Sequence, residues 1–499
     1  MTLRRRTADN VGAPEHGFAA VVVAVVVPAA DVVPLVVVPC VGLAPANIGT
    51  VKVARVRGTA SRADRRMRPR YQPLLASPPV DVPLPTLEVL ERTRRGGAVE
   101  AADVAALVNA WATGAASDAQ MAAWCATAGM QGVPYEAALA VVAALLAGGD
   151  RLELQRLGPT VDIRSTGGVG DSALVVVASC LAAAAGAIVA STGARSIAHV
   201  GGVLDAVSAM PGMDNAMAVD RWVTQARDGG MVIAEPGERL VPGERRLADL
   251  RDSTATAEGD VLVAVATAAR GISGGAGVIA VAIPAGSGGL LPDLDHARHA
   301  AGLLEALGGA WNRVVTAVPV VRAEPLAGVA GHSLELREAL AVLAGDGDPA
   351  LAESACTLAG AALVAAGLGD DVLSLRAMLG DGRAAAVAER WIAAQGGDPA
   401  IVSDPGRLSV AVVRSTLIAT DGGAVQSVDA GIVGTAARWL GAGRLDPGQV
   451  VDPSVGVQVV ARAGARVSAG DVLAVVEASD EWMADRALAM LRPAFDVVD

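Results

Sequence analysis

Val161-Asp162-Ile163-Arg164-Ser165-Thr166-Gly167-Gly168-Val169-Gly170-Asp171 is the stretch on which the fold turns. Residues 161–163 read as a short strand, and the apolar run 173–185 after them reads as a helix. Glycines between the two let the backbone turn sharply and approach a ligand closely. The N–H groups at a helix start then face an anion, with the helix dipole behind them. Ser165 and Thr166 add hydroxyl donors. A tight strand–helix turn without a ligand would use the same glycines. No lysine follows them, which excludes a Walker loop, and the GxGxxG spacing of a dinucleotide site is absent.

Working outward, residues 188–190, 231–234 and 278–283 read as further strands, and 261–270 as a helix. Strands alternating with helices imply an α/β sheet. Upstream, 101–111, 118–129 and 135–147 read as short amphipathic helices punctuated by Gly114, Gly129 and Gly148. Downstream, 424–440 and 450–476 alternate Val with Gly, Asp and Arg, which suggests a small β-rich lobe closing on a final helix over 480–491. The start of the chain differs from the rest. Arg4-Arg5-Arg6 precede a Val-rich run, 19–38, broken by Pro28, Asp31 and Pro34. Those interruptions argue against a membrane span, and the distance from the basic start argues against a signal peptide. An Arg-rich stretch, 55–70, and a Pro-rich linker, 73–85, follow. The segment before the linker reads equally as a small β-rich domain or as sequence without a fold.

A chain of 499 residues favours two to three domains. Apolar residues make up 53% and charged residues 18%, which is not the composition of a disordered chain. A net charge of −12 disfavours nucleic acid and anionic membrane as partners, so an anion must be held locally. Aromatic residues are only 2%, so the core is built of Ala, Val and Leu. Lys52 is the only lysine. Cys40, Cys125, Cys180 and Cys356 lack CxxC spacing and read as buried thiols in a reducing cytoplasm. His296 and His299 are three apart; a solvated helix face is the expectation, with a metal pair as the rival.

Three further segments carry site chemistry. Ser191-Thr-Gly-Ala-Arg195-Ser-Ile-Ala-His199-Val-Gly-Gly-Val-Leu-Asp205 again sets glycines, hydroxyls and an Arg after a strand. Two such loops on neighbouring strands are placed to face one another where α/β ligands bind. Arg251-Asp252-Ser-Thr254-Ala-Thr256 looks like helix-start chemistry. Ala266 and Arg270 lie four apart on the next helix and share a face. Gly286-Ser287-Gly288-Gly289 follows another buried strand.

This order resembles the thymidine/pyrimidine nucleoside phosphorylase family over residues 85–499. So do Ala330-Gly331-His-Ser-Leu-Glu335-Leu-Arg-Glu338 and, in the tail, Ser454-Val-Gly and Gly470-Asp-Val-Leu-Ala. The resemblance implies an α/β fold class. A helical domain comes from two chain segments, 84–150 and 243–273. A larger α/β domain spans 151–242 and 274–410, and a β-rich C-terminal lobe spans 411–499. It implies replacement of a pyrimidine nucleoside's base by phosphate, no cofactor beyond inorganic phosphate as co-substrate, a cytoplasmic location and a homodimer. Ser165, Thr166, Gly167, Gly168 and Arg195 would bind phosphate; Arg251 and Arg270 would bind the base; Arg164 and Arg251 would be catalytic.

The sequence also departs from that family. A Lys-His pair becomes Ile163 and Arg164. A Thr of the phosphate site becomes Val203. On the base-binding helix a Ser becomes Ala266 and a Lys becomes Arg270, and Ala282 and Pro284 stand for an Asp and a Lys. An Arg is a poor proton donor, and Val203 and Ala266 lose hydrogen bonds. Two readings stay open: a phosphorylase of reduced efficiency or altered substrate, and a pseudoenzyme that keeps the fold to bind a ligand or partner.

Overall fold

The computed structural model describes residues 85–369, 372–446 and 448–498. The Val-rich run, the Arg-rich stretch and nearly all of the Pro-rich linker lie outside the described residues, as do Cys40 and Lys52. Four helices come first: α1 (Thr86–Arg94), α2 (Ala101–Ala112), α3 (Asp118–Gln131) and α4 (Tyr135–Leu146). Val104, Leu107, Val108 and Trp111 are buried along α2 at helical spacing, which is the stripe that packs. Ser117 starts α3 with a capping box: its side chain accepts from Gln120 N, and the Gln120 side chain accepts from Ser117 N.

The alternating segment follows as β1 (Thr160–Ser165), α5 (Asp171–Ala184), β2 (Ile188–Thr192), α6 (Val203–Ser208), β3 (Ala216–Met217), α7 (Val219–Gly229) and β4 (Met231–Pro236). The chain then leaves the sheet for α8 (Pro242–Ser253) and α9 (Asp260–Gly274), which pack against α4. It returns as β5 (Val278–Ala285), α10 (Leu294–Ala310) and β6 (Val314–Val321). The six strands form one parallel sheet in the order β3-β4-β2-β1-β5-β6. Both faces are covered, as parallel sheets require. Along β5, Val278, Ala280 and Ala282 join the α5 side of the core, and Ile279, Val281 and Ile283 join the α9 side. On β1, Val161 and Ile163 face α5, which leaves Asp162 and Arg164 on the opposite face.

The strand β7 (Val329–Ala330) and helices α11 (His332–Leu343), α12 (Pro349–Ala365), α13 (Val372–Gly380) and α14 (Arg383–Ala394) come next, with α11, α12 and α14 packed on α5. The C-terminal part contains β8 (Val413–Ile418), β9 (Gly423–Val428), α15 (Ala430–Ala437), β10 (Gly456–Val459), β11 (Arg466–Val467), β12 (Val472–Ala478), α16 (Glu481–Leu491) and β13 (Phe495–Val498). It forms two antiparallel sheets, β7-β10-β12-β8 and β11-β9-β13. The fold class is the expected one: a helical part from two chain segments, a larger α/β part and a β-rich C-terminal lobe.

Two local expectations are corrected. Residues 424–440 are not strand throughout. Asp429 accepts from Ile432 N at 2.9 Å and starts α15, and a π-helical turn, Arg438–Ala442, follows. The alanines after the cap favour helix over the Val–Gly alternation. Arg251 and Asp252 close α8 rather than opening a helix. The Asp252 carboxylate accepts from Ala198 N at 2.8 Å and pairs with Arg438 at 3.0 Å, both far away in sequence.

Candidate active site

A cleft of about 560 Å³ opens at the carboxyl ends of β1 and β2. From β1 the chain continues to β2 on one side while β5 lies on the other, so β1 borders a switch point of the sheet, where ligands of such folds bind. The cleft is walled by α8 and α9 and closed by Arg444, Gln449 and Val451 of the C-terminal lobe. Arg164, Ser165, Thr166, Arg195, Arg251 and Arg270 all line it. The two Gly-rich loops after β1 and β2 therefore share one cleft. The Gly286–Gly289 segment instead braces the first of them: Val169 N donates to Gly288 O at 2.8 Å.

The loop after β1 is held by its own groups. Ser165 Oγ donates to Asp171 Oδ2 at 2.7 Å and accepts from Gly167 N at 3.0 Å. Thr166 N donates to Ala282 O at 3.0 Å, and Ser172 N to Glu335 Oε2 at 3.1 Å. A Cβ on Gly168 would stand 2.6 Å from Asp171 Oδ2, so the glycine makes room for that carboxylate. Asp171 is in turn paired with Arg322 at 2.9 Å. The N–H groups of Thr166, Gly167, Val169, Asp171 and Ser172 thus have internal acceptors. Two donors on cleft-lining residues are left over. Arg164 Nε and Thr166 Oγ1 are buried and have no hydrogen-bond partner among the described residues. Residues 164 and 166 alternate in step, so both project from one face of the strand end.

Arg164 is pinned by an ion pair with Asp162 and by donation from Nη2 to Thr192 O at 3.1 Å. Asp162 is fully buried; burial pushes its carboxyl up, and the Arg164 charge opposes that. Arg195 is held loosely: its side chain is 47% exposed, 3.5 Å from Glu235 and 3.9 Å from Asp205. Asp205 is gripped by Arg444 at 2.6 and 2.9 Å and by Ser196 N at 2.7 Å. Burial alone would raise Asp205, but the Arg444 hydrogen bonds, the charges of His332 and Arg444 and the Ser196 hydrogen bond bring it down to about 2.

At the α8–α9 wall, Arg251 is buried. Its Nε donates to Thr256 O at 3.1 Å, Nη1 to Leu262 O at 3.3 Å, and Nη2 to Ala257 O. Burial pushes its pKa down. Arg270 pairs through Nε with the buried Glu244 and donates from Nη1 to Gly193 O at 3.1 Å.

The helical bundle domain profile of a glycosyl transferase family matches residues 87–149, and the a/b domain profile of the same family matches 157–256. The pyrimidine nucleoside phosphorylase C-terminal domain profile matches 424–497. The chain is 30% identical to a pyrimidine-nucleoside phosphorylase of Geobacillus stearothermophilus, over 80% of this chain and 93% of that one. It is 31% identical to a thymidine phosphorylase of Burkholderia cenocepacia (83% and 96%) and 34% identical to one of Mycobacterium tuberculosis (77% and 88%). The chain belongs to the thymidine/pyrimidine-nucleoside phosphorylase family. It is accordingly a glycosyltransferase of the pentosyl-transferring kind.

On this phosphorylase-family scaffold the unusual residues occupy different settings. Ile163 is 1% exposed and packs under the sheet on the α5 side, away from Arg164. Ala266 and Arg270 line the cleft together, as their four-residue spacing predicts. Ala282 is buried, and Val203 is the first residue of α6. His296 contacts Asp293 at 2.8 Å and His299 contacts Asp260 at 2.6 Å. Among the described residues no cluster of three or more His, Cys, Asp or Glu could hold a metal ion. No helix among them is long and apolar enough to cross a membrane.

Sequence reading missed Glu244 and Asp162, which hold the cleft arginines Arg270 and Arg164, and Arg444, which holds Asp205. Glu244 stands seven residues before Arg251 on one helix, a same-face spacing that was available as a signal. Asp162 lies two before Arg164 on a strand and shares its face. Arg444 carried no local signal.

Proposed function

We propose that the cleft carries out phosphorolysis of a pyrimidine nucleoside, with the base toward α8 and α9 and phosphate toward the end of β1, and that turnover is slow. The observation that carries this reading is the pair of buried, unpartnered donors, Arg164 Nε and Thr166 Oγ1, beside the loosely held Arg195. A buried donor without an acceptor is costly, and a phosphate oxygen would satisfy each. Phosphate attacks the anomeric carbon as the bond to the base breaks. The bonding electrons leave with the base, and Arg251 and Arg270 stabilise the charge that develops there. Narrowing of the cleft would align the reactants and exclude water. The slow rate follows from Arg164, whose guanidinium is neutralised by Asp162 and cannot protonate the departing base.

The Asp162–Arg164 pair also supports the second reading, a protein that binds a nucleoside or a partner without turning it over. Incubation of the purified protein with thymidine, uridine and deoxyuridine, with and without phosphate, separates the two. Phosphate-dependent release of free base supports phosphorolysis. Nucleoside binding with no base release, even at high enzyme concentration, would replace it with the binding role.

A further inference from the structure

We propose that the C-terminal lobe tunes anion binding in the cleft: its Arg444, by occupying Asp205, keeps Arg195 free to meet phosphate. Arg444 is then a positioning residue. The inference rests on the functional reading above and adds to it a residue that acts through another.

The loop after β2 is tied to the lobe at two points. At the first, Arg444 donates from Nη2 to Asp205 Oδ1 at 2.6 Å and from Nη1 to Asp205 Oδ2 at 2.9 Å, and Nη1 also reaches Ser196 Oγ at 3.1 Å. Asp205 in turn accepts from Ser196 N at 2.7 Å and from Ser196 Oγ at 2.6 Å. At the second, Ala198 has a φ of +52°, a left-handed conformation that costs a residue with a Cβ and needs support. Its N–H donates to Asp252 Oδ1 at 2.8 Å, and the same oxygen accepts from Arg438 Nη2 at 3.0 Å. Arg438 Nε also donates to Arg444 O at 2.6 Å, so one side chain of the lobe braces both ties.

Two arginines compete for Asp205, which is 2% exposed. The Arg444 side chain is 14% exposed and covers both carboxylate oxygens in a fork. Arg195 lines the cleft and stands 3.9 Å from Oδ1, too far for a hydrogen bond. Arg444 thus holds the place that Arg195 would otherwise take. Without the Arg444 charge, a buried carboxylate would be left short of compensation, which is costly. Arg195 would swing onto it and away from the cleft. Being half-exposed, Arg195 would replace Arg444 only in part.

The test is calorimetric titration of the intact chain with inorganic phosphate and, separately, with uridine. Arg444→Gln removes the charge but keeps a donor for Asp205. It should weaken phosphate about two- to fivefold at low ionic strength, the weight of a half-exposed charge, and hardly at all at high salt. Uridine affinity should not move. The double variant with Arg195→Ala should bind phosphate no more weakly than either single variant, because both remove the same contact. Losses that multiply in the double variant overturn the assignment. A loss of uridine affinity that matches the loss for phosphate also overturns it, since that marks a cleft that has merely loosened. Native phosphate affinity in Arg444→Gln does the same. If Arg444→Gln does not fold, Arg444→Lys carries the same cycle, because its ammonium covers one carboxylate oxygen and leaves the other to Arg195. Absence of phosphate binding by the native protein overturns the phosphorolysis reading itself, a result distinct from the others.

Discussion

The two ends of the cleft hold their arginines by different means. At the end of β1, Arg164 is matched by Asp162 on the same strand face, so its charge is cancelled within three residues of chain. At the α8–α9 wall, Arg270 is matched by Glu244 from the neighbouring helix, and Arg251 by three backbone carbonyls. A pair assembled between two helices lies along the cleft wall, and both members line it. A pair assembled within one strand presents only its arginine to the cleft, with Asp162 buried beneath. Arginines in a cleft therefore do not measure its affinity for anions until each is set against the acid that holds it.

Breaking the pairs should give the largest effects. Arg164→Leu leaves Asp162 buried without its counter-charge, and Arg270→Leu does the same to Glu244. Removing one partner of a buried pair costs about 3–5 kcal/mol. Denaturant midpoints should fall by a similar amount for both variants, with unchanged slope. A full loss for Arg270→Leu with under about 1 kcal/mol for Arg164→Leu would mean that Asp162 takes up a proton readily and the two ends differ more than their geometry suggests.

The next effect is on acid stability. Asp205 titrates at about 2 in the folded chain, below the 3.8 of an unperturbed Asp. A depressed carboxyl contributes stability that is complete above the unfolded value and is lost as pH falls through the folded one. The window thus runs from about pH 4 down to about pH 2, and the gap is worth about 2 kcal/mol. Arg444→Met should remove most of that dependence, seen as a flatter profile of urea midpoints between pH 5 and 2. A steep profile in the variant would assign the acid sensitivity to another carboxylate.

Much of the scaffold was legible in the sequence because glycines and apolar runs are local signals. β1, its loop and α5 are read from eleven consecutive residues, and the paired loops after β1 and β2 do meet in one cleft. What failed were signals that depend on distant partners. α15 was hidden because its start rests on the Asp429 cap inside a Val- and Gly-rich run. Arg251-Asp252 was placed at a helix start because Asp, Ser and Thr favour caps; here Asp252 serves Ala198 and Arg438 instead. Within the loop, Asp171 takes the Ser165 hydroxyl and Glu335 the Ser172 amide, contacts that the glycine spacing does not announce. Glycine spacing shows where a backbone turns, not who fills the turn.

Arg251 sharpens the contrast between the ends. Arg251→Ala should weaken nucleoside binding about tenfold, the loss of roughly one hydrogen bond to a charged donor, and leave phosphate or sulfate affinity nearly intact. Titration of both ligands checks this. Equal loss of both, or of neither, would remove Arg251 from the base end and leave it as a brace for the carbonyls of residues 256, 257 and 262.

The smallest effect should come from Arg195. Its side chain is 47% exposed, and its contacts of 3.5 and 3.9 Å are too long to fix the guanidinium. A half-exposed charge contributes about 0.2–1 kcal/mol to an ion pair and is screened by salt. Arg195→Ala should therefore weaken phosphate about two- to fivefold at low ionic strength and hardly at all at high salt, without moving the denaturant midpoint. Nucleoside affinity should stay the same. Phosphate titrations at two salt concentrations decide the matter. A salt-independent loss of a hundredfold would make Arg195 the principal anion ligand, and the buried donors Arg164 Nε and Thr166 Oγ1 would no longer mark the place where phosphate sits.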